Sequence, residues 1–168
     1  MTERIRFGSG TADLSDDGLY RYRLTRRWGD GENVATFIML NPSTADADLD
    51  DPTIRRCVGF AKREGCQALQ VVNLFAYRAT TPAVLRTVAD PVGSENDEYL
   101  RRAIDSPGLR VAAWGVHGRA DRIVVVKSAG AALHALGTTK DGHPRHPLYV
   151  RRDVPLLQWP LEEEGRRA

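Results

Sequence analysis

The stretch VATFIML at residues 34–40, followed by NPSTADADLD at 41–50 and DPTIRRCVGFAK at 51–62, decides the architecture. Six of the first seven residues are apolar, without alternation. That pattern suits a strand buried on both faces, in the middle of a sheet. A polar stretch follows, and then Asp51 with Pro52 in the next position, a helix start signal. Ile54, Val58 and Ala61 recur at helical spacing while Arg55, Arg56, Lys62 and Arg63 fall on the other side. The reading is strand, polar loop, helix.

The same unit repeats downstream. ALQVVNLF (68–75) reads as a short buried strand. GSENDEYLRRAI (93–104) reads as a helix, acidic in its first turn and basic in its last, as the helix dipole favours. LRVAAWG (109–115) is a third strand, residues 119 to about 131 a helix, and ALHALG (132–137) a fourth strand. Upstream, LYRYRLTRRW (19–28) alternates, and GDGEN joins it to the strand at 34. With Asp30 and Gly31 as turn residues, this predicts a β-hairpin.

Strand–helix alternation of this kind argues an α/β layered fold. The expectation is a three-layer sandwich with a mainly parallel, four-stranded central sheet and an N-terminal antiparallel hairpin. A single domain over 1–168 is expected, with 1–33 as a hairpin extension, 34–150 as the α/β core and 151–168 as a tail. The 168 residues, 42% hydrophobic and 27% charged, suffice for a real core. Neither a membrane-spanning run nor a signal-peptide h-region is evident. Cys57 and Cys66 form no CxxC pair, so neither a disulfide framework nor a zinc site is expected. A cytoplasmic protein is expected.

In a parallel sheet the strands' carboxyl ends share one edge, where ligands bind. Four polar segments fall there: NPSTAD, NLFAYR, WGVHG and HPRHPLY. Asn41 ends the first strand and Asn73 the second; each amide offers an acceptor and two donors, and each equally suits a strand-closing turn. Phe75 and Tyr77 are candidates to stack on a base, against the commoner role of filling core. Asp46, Asp48, Asp50 and Asp51 offer bases or cation ligands, though such crowding before a helix usually serves its dipole. His117 and His134 have no supporting pattern. His143 and His146 lie three apart in GTTKDGHPRHPLYV (137–150), with no convincing third metal ligand. Residues 111–152 carry seven Lys/Arg against Asp121 and Asp141, a possible nucleic-acid footprint or simply a solvated basic surface. There is no GxGxxG or GxxxxGK phosphate loop.

Taken together, MLNPSTADADLDDPTIRRC, VVNLFAYRATTP, DPVGSENDEYL, AAWG and LGTTKDGHPRHPLYV resemble the uncharacterised bacterial and phage family called domain of unknown function 1643. A more distant resemblance is to the uracil-DNA glycosylase superfamily. MLNPS is similar to its GINPG motif, VNLFAYRAT to TNVVKCRPP, VAAWG to LLWG, and HPRHPLY to HPSPLS. The resemblance implies a glycosylase-like fold and hydrolysis of the N-glycosidic bond of uracil or a modified pyrimidine flipped out of DNA. It implies Asn41, with His143 or His146, as the catalytic groups. Ser43, Asn73, Phe75 and Tyr77 would surround the base, while Arg78, Lys140, Arg145 and Leu148 would meet DNA. The last motif has one extra residue, so either histidine fits; Gly142 favours His143 as donor, with His146 as brace. DNA is the implied partner, no membrane is, and a monomer is expected. No cofactor, metal or iron–sulfur cluster is implied, since two distant cysteines cannot ligate one. Asn41 is not a general base, which favours a dissociative path or, alternatively, a binding protein of the same fold without chemistry. A third reading is a metal-dependent hydrolase using the 46–51 carboxylates.

Overall fold

The protein is described by a computed structural model covering residues 9–160. Residues 1–8 of the expected N-terminal extension and 161–168 of the expected tail lie outside the described residues. The chain runs β1 (Ser9–Leu14), β2 (Arg21–Arg27), β3 (Val34–Met39), α1 (Pro52–Arg63), β4 (Ala68–Asn73), α2 (Asn96–Asp105), β5 (Leu109–Ala112), α3 (Ala120–Ser128), β6 (Leu133–Ala135) and β7 (Leu157–Trp159). The class is α/β.

The expected four-stranded, mainly parallel sandwich with an attached hairpin is corrected by the sheet itself. All seven strands form one mixed sheet in the order β1-β2-β4-β3-β5-β6-β7. Pairing is parallel between β4 and β3, β3 and β5, and β5 and β6. It is antiparallel at both margins, where β1 pairs with β2 and β2 with β4, and where β7 pairs with β6.

The predicted hairpin of 19–28 with 34–40 does not form, because β4 lies between its two strands. The connection at 28–33 instead straddles Gln67: the N–H groups of Trp28 and Gly29 donate to the Gln67 carbonyl, and the Gln67 N–H donates to Asn33. The physical reason is burial. Every residue of β4 is buried, and β3 is buried from Ala35 onward, so each needs a strand on both sides. The alternating, arginine-rich β2, only partly buried at Arg23 and Thr25, takes the place beside β4, away from the centre of the sheet. Its hairpin partner is β1, through a turn at 15–20 with Gly18 at φ +72°.

Alternate residues of β3 enter two cores. Ala35, Phe37 and Met39 pack with Ile54, Cys57, Val58 and Ala61 of α1, whereas Ile38 packs with Leu100 and Ile104 of α2 and Val126 of α3. α1 begins as its sequence predicts: Asp51 caps it, accepting from the Ile54 N–H at 2.9 Å, and Pro52 is its first residue. Among the described residues no helix is long and apolar enough to cross a membrane.

Candidate functional site

A cavity of about 690 Å³ opens where the segments after β3, β4 and β5 meet the 139–149 loop and the start of α1. Its size suits a nucleotide-scale ligand. Asn41 and Ser43 line it from the segment after β3, and Asn73 from the end of β4. Trp114, Gly115 and His117 line it after β5, and Arg145, His146 and Leu148 from the last loop.

Asn73 is 1% exposed, and neither its Oδ1 nor its Nδ2 has a hydrogen-bond partner. A buried amide left unpaired at both ends is costly, on the order of 1–3 kcal/mol for each group. It is held there because Met39 registers with it across the β3–β4 ladder and Asn96 donates to its backbone carbonyl at 2.9 Å.

Asn41 is differently employed. Its Nδ2 donates to the carbonyls of Pro42 at 3.0 Å and Ala79 at 2.9 Å. Because both partners are acceptors, the amide orientation is fixed and Oδ1 alone remains to meet a ligand or water. Arg78 braces the same turn, donating from Nε to the Ser43 carbonyl at 3.2 Å and from Nη1 to Gly18. That guanidinium supports the loop and does not line the cavity.

The two histidines occupy different places. Residues 137–145 form a small antiparallel loop, with Thr138 bridged to Pro144, the Arg145 N–H on Gly137, and the Thr139 N–H on the His143 carbonyl. His143 thus closes a turn, and its own N–H donates to Thr139 Oγ1 at 3.1 Å. Gly142 faces Trp159, whose indole N–H donates to its carbonyl. His143 does not line the cavity; His146 does. His146 begins the short 3₁₀ turn Pro147–Tyr149, and its Nδ1 accepts from the Leu148 N–H at 3.2 Å. The neutral ring therefore carries its proton on Nε2. Burial pushes this imidazole below its ordinary pKa, partly opposed by the charge of Asp51. The loop is anchored from two sides. Gly115 N–H donates to the Pro144 carbonyl at 2.9 Å, and Arg56 of α1 donates to the carbonyls of Pro147 and Val150.

Phe75 and Tyr77 stand apart from the cavity. Phe75 is buried with the Arg119 guanidinium 5.0 Å over its ring, and Tyr77 packs edge-on to Tyr20 at 5.6 Å. Lys140 is exposed at the tip of the histidine loop and also lies outside the lining. Arg145 reaches the mouth, with its Nε on the Thr138 carbonyl. Val116, Leu148 and Tyr149 rim the mouth with 53%, 40% and 79% exposure.

Sequence reasoning passed over Arg21 and underweighted Asp51. Arg21 enters from the start of β2, 2% exposed, with Nη1 on the Ala45 carbonyl at 2.7 Å and Nε unpartnered. Burial pushes its pKa down to about 10, and Asp51 opposes that shift. Position 21 sits first in an alternating strand, and that alternation was the available signal.

The acidic stretch is largely committed to structure. Asp46 Oδ1 accepts from the N–H groups of Asp48 and Leu49, and Asp50 forms a buried ion pair with Arg26 at 2.7 Å. Among the described residues no three His, Cys, Asp or Glu side chains are grouped to hold a metal.

No curated protein and no solved structure matches the chain. A family model described as Protein of unknown function (DUF1643) matches residues 21–148, and the chain belongs to that family.

Proposed function

We propose that the protein hydrolyses the N-glycosidic bond between deoxyribose and uracil, or a modified pyrimidine, flipped out of DNA. The observation that carries this reading is the unpaired, buried amide of Asn73 in the cavity wall. An adjacent donor and acceptor complement the carbonyl and N–H edge of a pyrimidine. The energy withheld in the free protein is recovered only when such an edge binds. The likeness of four short segments to glycosylase motifs adds to the argument, and it rests on sequence alone.

Bond cleavage leaves negative charge on the departing base and positive charge on the sugar. His146 is the donor in this reading, in place of His143: its Nε2–H is free, and burial keeps the ring neutral. Asn41 Oδ1 accepts from the attacking water. Leu148 and Tyr149, exposed at the mouth, fill the gap left by the flipped nucleotide. Arg145 meets phosphate.

The test is incubation with single- and double-stranded oligonucleotides containing uracil or modified pyrimidines, with and without chelator, followed by hot alkali. Strand cleavage at the modified position, indifferent to chelator, is expected. Chelator-sensitive cleavage favours a metal-dependent hydrolase. Binding without cleavage favours the non-catalytic reading, which the full use of the Asn41 N–H groups supports.

A further inference from the structure

We propose that Asp51 is the carboxylate that takes the proton from the attacking water. This inference rests on the glycosylase reading. Asn41 is an acceptor only, because both its N–H bonds are spent on backbone carbonyls. A water molecule that donates one hydrogen to Asn41 Oδ1 needs a second acceptor to orient it and to receive a proton.

Asp51 lines the same cavity and is the stretch's one carboxylate that does so. Its Oδ1 accepts from the Ile54 N–H at the start of α1 at 2.9 Å, which orients the carboxylate. A capping aspartate alone would be an ordinary structural feature. Here the buried Arg21 guanidinium, with Nε unpartnered, lies in the same wall. Asp51, Arg21 and His146 line the one cavity, and the charge of Asp51 raises the proton affinity of the other two.

In the proposed step the water oxygen bonds to C1′ of the sugar as the C1′–N bond breaks. The electron pair of that bond leaves with the base, stabilised by His146 Nε2–H. One water proton passes to Asp51 and is then released to the base or to solvent, so charge and atoms balance. The charged or titratable groups around Asp51 are Arg21 from β2, Cys57 from α1, and His117, Arg145, His146 and Tyr149 at the cavity.

Asp51→Asn tests this, because Asn also caps helices and so spares α1. Asp51→Ser serves as a second capping variant without an acid. Single-turnover cleavage by each should fall about a hundredfold or more, with the melting curve nearly unchanged. An NMR titration of His146 in Asp51→Asn should show its pKa moving further down. Wild-type-like rates in both variants of an active protein would overturn the assignment of Asp51 alone. An unchanged His146 titration would overturn it too, whatever the activity. A wild type inactive on every base would instead overturn the glycosylase reading beneath it.

Discussion

Replacing Asn73 by leucine should make the protein more stable while removing its ligand. Leucine is nearly isosteric with asparagine, branching at the same carbon, so the wall of β4 keeps its shape. The Asn96 contact survives because it is made to the backbone carbonyl of residue 73. What changes is the removal of two buried, unpartnered polar atoms. Relieving them is expected to stabilise the free protein by about 1–3 kcal/mol in total, allowing for imperfect packing. For a chain of this length that raises Tm by roughly 3–10 °C. Calorimetric melts of Asn73→Leu and wild type, run side by side without ligand, measure the difference. A variant that melts lower would mean that the free protein already satisfies this amide, for example with bound water. The argument that Asn73 is reserved for a ligand would then fail.

The two histidines should separate cleanly. In an active protein His146→Ala should lower turnover by about ten- to a thousandfold, while His143→Ala, altering only a turn, should leave single-turnover rates within a few-fold; the reverse result would move the donor to residue 143. The depressed His146 pKa also predicts a pH effect on stability. Between its folded value and the ordinary 6.5 the unfolded chain binds more protons, so stability falls as pH drops below 6.5 through that window. Urea melts across that range should show a slope that His146→Gln reduces. Duplex DNA should bind with an affinity that drops steeply with salt, through counterion release; fluorescence anisotropy at rising salt measures it, and a flat dependence would remove the basic surface from the account.

The central strands were legible because burial on both faces leaves mostly apolar runs at 34–40 and 68–75, broken only by Thr36, Gln70 and Asn73. The start of α1 was legible because Asp51 and Pro52 carry cap chemistry. Strand pairing was not, since it depends on contacts distant in sequence. The turn signal at Asp30-Gly31 suggested a local hairpin, yet the pairing preference of the fully buried β4 separated β2 from β3. β1 contains few apolar residues, and β7, three residues long, is too short to carry a periodic signal. The choice between the histidines was equally hidden: both precede proline, and the bonds of the 137–145 loop turn His143 into a brace. Alternation marked the strand that holds Arg21, but that this strand meets the cavity is set by contacts distant in sequence.

The most direct test is mass-spectrometric detection of free base released from DNA carrying uracil or modified pyrimidines. The account predicts a free pyrimidine base and an equal amount of abasic DNA with wild type, and both formed about ten- to a thousandfold more slowly with His146→Ala. DNA that stays intact with wild type across the panel, or that releases a nucleotide instead of a base, would contradict it.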